Sequence, residues 1–195
     1  MDVYYVDFKN YAYSGPADTS GDPLYYGIAR GAYYSGLEAQ ATYYLGSGFS
    51  AYANGSFNNA KFKGSKLKVP TVPETTAAFG LIFDQAGFFG SFTEKYIGSW
   101  VVYDAITNPD VAGAGSTRLR YSENFWIGDF SLGYGQKIHA GFVRSFKVRF
   151  QVGNVFNQKV QVLDGIDAKA ANAYTKDVFN VLPVRNYFLT VSAEF

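Results

Sequence analysis

Hydrophobic and polar residues alternate with period two along much of this chain, as expected of strands whose two faces meet different surroundings. From Leu37, one face carries Leu37, Ala39, Ala41, Tyr43 and Leu45, and the other Glu38, Gln40, Thr42 and Tyr44. Over 145–153, Phe146, Val148, Phe150 and Val152 oppose Ser145, Lys147, Arg149 and Gln151, a pattern that no helix makes amphipathic. The last segment sets Tyr187, Leu189, Val191, Ala193 and Phe195 against Asn186, Thr190, Ser192 and Glu194, with Phe188 a misfit. Thr75, Ala77, Phe79, Leu81 and Phe83 oppose Glu74, Thr76, Ala78 and Asp84, with Ile82 out of pattern. Trp126, Phe130, Leu132 and Tyr134 oppose Asp129 and Ser131, and Tyr4, Val6 and Phe8 oppose Asp7 and Lys9. Weaker segments at 49–60 and 87–103 bring the expectation to about eight strands, several near the ~10 residues that cross a bilayer at a tilt. In 87–103, Phe88 and Phe92 lead into Glu94 on the same face, so the pattern leaves the register of that strand open.

The connections alternate in length. Gly15 to Pro23 is long and Gly46-Ser47-Gly48 short; Lys61 to Thr71 is long and Asp84-Gln85-Ala86-Gly87 short; Asp104 to Glu123 is long, Gly135 to Phe142 shorter, and Val155 to Leu182 longest. Bacterial outer-membrane barrels show this rhythm, with short periplasmic turns and long external loops. The expected fold is therefore all-β, an antiparallel transmembrane β-barrel sheet with its C-terminus on the periplasmic side. Aromatic residues gather at strand ends: Tyr43, Tyr44, Phe49, Phe88, Tyr134 and Phe195 near short turns, and Tyr11, Tyr13, Trp100, Tyr103 and Tyr187 near long loops. They form a candidate pair of interfacial girdles.

Composition agrees. The 17 Tyr, 18 Phe and 21 Gly stand against a single Met, a sheet-forming and interface-suited mixture. No apolar run reaches the length of a transmembrane helix, which leaves barrel strands as the only route across a bilayer. A net charge of +1 offers nucleic acid no electrostatic footprint. With no Cys, disulfides, thiol nucleophiles and Cys-based metal sites are excluded. The chain opens Met-Asp-Val-Tyr-Tyr, directly in strand-like sequence; of a removed leader and a start partway through a longer gene product, we expect the second.

Several stretches then resemble one family. Gly36-Leu37-Glu38, followed by an alternating strand, a short turn and Tyr52-Ala53-Asn54-Gly55-Ser56, is similar to a recurrent region of TonB-dependent receptor barrels. Val72-Pro73-Glu74-Thr75 resembles the proline-bearing strand start that follows it, and Gln151 to Lys159, with Asn154-Val155-Phe156-Asn157 at its centre, a segment near the end of these receptors. Pro183-Val184-Arg185-Asn186-Tyr187-Phe188 with terminal Phe195 resembles their closing strand. Val160 departs from the aromatic common there. The resemblance implies about eight strands from the C-terminal part of a roughly 22-stranded, plugged barrel whose plug is absent here. It further implies the outer membrane of a Gram-negative bacterium, uptake of ferric siderophores or other scarce nutrients, and partners in outer-membrane lipid, the remainder of the receptor, TonB and a ferric chelate or similar small ligand. Tyr187 and Phe195 carry the C-terminal barrel signature.

On this reading Glu38, Gln40, Lys147, Arg149 and Gln151, with Arg30 if its strand extends that far, face the barrel lumen and contact plug or water. Lys61, Lys63, Lys66 and Lys68 form a basic cluster in an external loop, suited to an anionic ligand or lipopolysaccharide phosphates. No cofactor, metal site or catalytic residue is expected, and the chain is expected not to be an enzyme. His139, the single His, has no neighbouring ligand pattern. Gly113-Ala114-Gly115-Ser116-Thr117 lacks the strand-to-helix context of a phosphate loop, and Asp164, Asp167 and Asp177 do not match EF-hand spacing. A Ser/His/Asp arrangement through His139 would need members on opposite sides of the membrane. Three alternatives remain open: a self-contained eight-stranded barrel with a structural or adhesive role, a barrel lipid hydrolase, and a soluble β-sandwich or lipocalin-like binding protein.

Overall fold

The computed structural model describes residues 1–14, 26–64, 67–103, 119–140, 142–167 and 176–195. Its strands are β1 (Asp2–Ser14), β2 (Tyr26–Gly46), β3 (Phe49–Phe62), β4 (Thr75–Gln85), β5 (Phe88–Ile97), β6 (Val101–Tyr103), β7 (Leu119–Tyr121), β8 (Phe125–Ala140), β9 (Val143–Gly153), β10 (Gln161–Asp167), β11 (Lys176–Val181) and β12 (Asn186–Glu194). Eight of them form one antiparallel sheet in the order β1-β2-β3-β4-β5-β8-β9-β12, and β6–β7 and β10–β11 are separate hairpins. β1 and β12 are the two ends of that order, so the described sheet is open and does not close into a small eight-stranded barrel.

The tight turns explain the register. Ser47 (φ 50°) with Gly48 (φ 81°), and Ala86 (φ 54°) with Gly87 (φ 85°), each place two successive residues at positive φ. That is the two-residue type I′ geometry whose twist matches paired strands. It fixes Gly46 opposite Phe49 and Gln85 opposite Phe88, and past the irregularity between Tyr44 and Gly46 period two assigns the side chains of the paired strands to faces.

Four expectations change. The Gly135 to Phe142 connection is mostly strand: β8 runs to Ala140, and Gly135 and Gln136 pair with Lys147 and Phe146. The loops at 104–123 and 155–182 contain β7, β10 and β11; three to seven residues are too few to show alternation. Within 87–103, β5 ends at Ile97 and Val101–Tyr103 leaves to pair with β7. Lys61, expected in a loop, lies in the last turn-ward residues of β3.

The sheet is a single layer with one apolar and one polar face. Phe150, Leu132 and Val191 remain 41%, 49% and 63% exposed on the apolar face, so this row is not packed between stacked sheets, and the β-sandwich alternative fails. Ring pairs line its short-turn edge, Phe49–Phe83 and Phe88–Tyr134 both at 4.7 Å, and others lie farther up, Tyr96–Trp126 at 4.8 Å and Phe150–Tyr187 at 6.2 Å. Phe195 stacks on Phe142 at 5.7 Å beside the β8–β9 turn. The first strand corrects the face assignment suggested by its apolar row: Tyr4, Val6 and Phe8 pair with Gly36, Tyr34 and Ala32, on the same face as Glu38.

Buried clusters occur at the long-loop end. Ala32, Ala60, Phe62 and Val69 pack together with Tyr11 and Tyr34, because residues 67–69 fold back along β3 through Phe62–Leu67 and Val69–Ala60 backbone bonds. Trp100, Val102 and Leu163 join the two hairpins, and the Trp100 indole N–H donates to the Leu163 carbonyl at 3.2 Å. Trp100 and Tyr11 are therefore core residues and not girdle residues. Tyr44 pairs with Ser50 on the polar face, and the Tyr13 and Tyr103 side chains lie outside the described residues.

Candidate functional site

The polar face carries two clefts. One, of about 380 Å3, is lined by Asp2, Glu38, Gln40, Asn54, Ser56 and Thr76. Strand pairing produces this set, placing Glu38 opposite both Asp2 and Ser56, and Gln40 opposite Asn54. The Ser56 and Thr76 hydroxyls bond across β3 and β4 at 2.7 Å.

The second cleft, of about 570 Å3, lies over β5, β8, β9 and β12 and includes Thr93, Lys95, Asp129, Arg149, Gln151 and Phe188. Phe89 is at its centre. Lys147 Nζ stands 4.4 Å from the Phe89 ring centroid and the Arg149 guanidinium carbon 5.2 Å, a cation–π arrangement on a shared ring. The ring fits because its partner across the strands is Gly133, where a Cβ would come within 2.3 Å of Phe89 Cζ. Arg149 Nε is buried without a hydrogen-bond acceptor among the described residues. Asp129 accepts the Asn154 backbone N–H at 3.0 Å.

Glu38, Gln40, Lys147, Arg149 and Gln151 thus lie on the polar face but not in one site: β2 and β9 are five pairings apart in the sheet order, about 24 Å along the sheet at ~4.8 Å per strand. Arg30 belongs to β2 and is exposed beyond the irregularity at Asn10 (φ 57°) and Gly31 (φ 136°). Phe89 and Phe188 were not anticipated there. The available signal was the misfit itself, since Phe188 broke the apolar alternation and pairs with Gln151.

The lysines divide. Lys61 pairs with Tyr33 on the apolar face, Lys68 bridges to Lys61, Lys63 pairs with the Asp7 carboxylate and Lys68 with that of Glu74; Lys66 lies outside the described residues. Glu94 also belongs to the apolar face, opposite Gly128 and Phe79, and is buried. Phe156 lies over Gly128 and contacts Phe92 at 6.1 Å, closing that position. The loop carrying Phe156 is held by buried Asn154, whose amide donates to the Gln158 and Pro183 carbonyls and accepts from Gln158 N–H. Tyr187 pairs with Val152 on the apolar face. Residues 113–117 and the side chains of His139, Asp167 and Asp177 lie outside the described residues, and no metal-ligand cluster occurs among the described residues.

A one-layer antiparallel sheet, apolar on one face and polar on the other, with alternating two-residue turns and long loops, is the wall of a β-barrel. The chain belongs to the TonB dependent receptor-like β-barrel family, which matches residues 1–156; the closing motif at 183–195 lies beyond the matched residues. No curated protein matches the chain. Among solved structures it is similar to the copper transporter OprC (TM-score 0.69, 16% identity, 97% of this chain and 28% of that one). It is also similar to the ferric citrate transporter FecA (0.67, 16%, 98% and 28%) and to the ferric-catecholate import receptor Fiu from K12 E. coli (0.55, 16%, 98% and 24%). The chain spans about a quarter of the length of each. The matched family is described as TonB dependent receptor-like, and the similar structures are named as transporters and an import receptor.

Proposed function

We propose that this chain is the C-terminal wall of a receptor in the outer membrane of a Gram-negative bacterium, importing a ferric siderophore or another scarce nutrient with TonB as its energy-coupling partner, and that it performs no catalysis. The observation that carries this reading is the two-faced open sheet. Its exposed apolar face suits hydrocarbon, while its unpaired edges require further strands, since unsatisfied backbone groups in lipid cost several kcal/mol each. The neighbours named for ferric citrate, ferric catecholate and copper support a metal-related cargo.

The polar face then lines the lumen. Glu38, Gln40, Lys147, Arg149 and Gln151, with Arg30 at the loop end, meet water or the remainder of the receptor. The unmatched Arg149 Nε supports a contact of this kind, because a buried donor without an acceptor is destabilising.

Deleting the gene from its host and supplying single ferric chelates as the iron source tests the assignment. Growth on at least one chelate is expected to fail, and to fail equally when TonB is removed. Unchanged growth and metal uptake in the deletion strain, across ferric chelates and copper, would overturn it.

A further inference from the structure

Trp100 ties together connections that leave the wall at three separate places. Its N–H donates to Ser122 Oγ and its carbonyl accepts the Ser122 N–H, both at 2.9 Å, while its indole N–H reaches the Leu163 carbonyl at 3.2 Å. The residues beside it bond the opposite way along the rim: the Val101 carbonyl accepts the Thr71 N–H at 3.1 Å, and the Ser99 carbonyl the Glu74 N–H at 3.4 Å. The connection after β5 is therefore bonded both to the one after β3 and to the one after β9.

Burial closes these joints. Trp100, Val101, Val102, Ser122 and Leu163 are all buried, although every one lies outside the eight-stranded sheet. Trp100, Val102 and Leu163 pack on Ile97 and Phe125, so this joint is footed on the long-loop ends of β5 and β8. On its other side, Val69, Val72 and Val101 line a space of about 10 Å3, room for at most one water. Hydrogen bonds shielded in this way exchange with solvent only when the packing around them opens.

The β1–β2 ribbon is built differently. Past Gly31, whose carbonyl accepts the Lys63 N–H, β2 is paired only with β1, and Asn10 (φ 57°) and Gly31 (φ 136°) interrupt the pairing at its base. A two-stranded ribbon is marginally stable by itself.

We propose that Trp100 is the keystone of one preassembled rim: the described parts of the connections after β3, β5 and β9 open only together, and they stay joined during transport as a fixed side of the external mouth. The proposal rests on the receptor reading above. A cargo that meets this rim is spared the cost of ordering it.

Hydrogen exchange of the complete receptor, read by mass spectrometry on peptides containing Thr71, Ser122 and Leu182, tests the first half without any cargo. Each of these amides is bonded in a different connection, Leu182 N–H to the Val160 carbonyl. In the wild type they are expected to exchange at one common rate, slower than the ribbon residues Ala12–Ser14. Trp100→Ala should speed all three by at least about a hundredfold, as a large core truncation does, and leave Val148–Val152 of β9 unchanged. Trp100→Phe keeps a ring, loses the indole donor and should speed them by about two- to tenfold; it decides the matter if the Ala variant does not fold. Acceleration confined to the Ser122 peptide, or three unrelated rates in the wild type, overturns the proposal. A disulfide between Thr71→Cys and Val101→Cys, in a chain with no Cys of its own, tests the second half. Growth on the chelate that the deletion strain cannot use should match that of either single-Cys variant, and loss of growth in the disulfide-bonded variant alone overturns the fixed rim. A deletion strain that grows on every chelate sinks the proposed function alone, because the exchange pattern decides whether the rim is one body.

Discussion

The two faces of this sheet are made by the same strands and differ in what they tolerate. On the apolar face, Ala39, Gly55 and Ala77, and one step along Ala41, Ala53 and Phe79, are consecutive across β2, β3 and β4 with no polar side chain between them. On the polar face, one residue along each strand, Gln40, Thr42, Asn54 and Gly80 are mixed in size and polarity. A soluble protein hides its apolar residues in a core, but here they are the surface and the polar groups line the clefts. On the proposed membrane reading, the apolar face away from the clusters around Phe62 and Trp100 is buried by lipid and not by protein, and adjacent residues of one strand should respond oppositely to the same charge.

The sharpest way to break the comparison is a pair of neighbouring substitutions in the complete receptor folded into bilayers. Ala39→Arg, near mid-height of the apolar face, should cost about 2–4 kcal/mol of folding free energy. Gln40→Arg, beside Glu38 and Asp2 in the polar cleft, should change it by less than about 1 kcal/mol. Denaturant titrations of both variants check this, and equal costs would remove the distinction between the faces. A steric disruption of the polar face should come next in size. Gly133→Val forces a branched side chain where Phe89 Cζ would be 2.3 Å from Cβ, and overpacking of that kind costs about 1–3 kcal/mol. Combining it with Phe89→Ala should restore part of the loss, giving non-additive stabilities in the same titration.

How far the sequence reveals the two faces depends on how unequal they are in each strand. In β9 the Phe146 row and the Lys147 row differ so strongly that alternation alone assigns them, and Gly48 and Gly87 mark the turns that set the register. In β1 both faces carry apolar residues, Val3 and Tyr5 against Tyr4, Val6 and Phe8, and only pairing with β2 decides between them. The hairpins β6–β7 and β10–β11 are legible in neither way. They are short, and they are held by non-local contacts such as Trp100 with Leu163, whose partners lie 63 residues apart. The candidate lumen residues were readable as a face, from Glu38 to Gln151, but not as two separate clefts. Cleft membership depends on strand order, and Phe89 enters through the glycine opposite it.

Smaller effects sharpen the comparison within the polar face. Lys147 and Arg149 share the Phe89 ring, so a double-mutant cycle between Lys147→Met and Phe89→Leu should show a coupling of about 0.5–1 kcal/mol, typical of an accessible cation–π contact. A coupling indistinguishable from zero would mean that the ammonium is held by solvent instead of the ring.

The smallest expected effect belongs to the long-loop end of the apolar face, where on the proposed membrane reading the wall leaves hydrocarbon. The Lys63–Asp7 pair is partly exposed, at 28% and 45%, and joins β1 to the residue following β3. Exposed pairs contribute about 0–1 kcal/mol and are screened by salt. Asp7→Asn should therefore lower stability by less than about 1 kcal/mol at low ionic strength, with the difference vanishing near 1 M salt, where screening acts within ~3 Å. A loss of several kcal/mol that persisted in high salt would show instead that this end of the face is as dry as the Ala39 region, and the boundary between hydrocarbon and headgroup would have to be placed above Lys61 and Lys63.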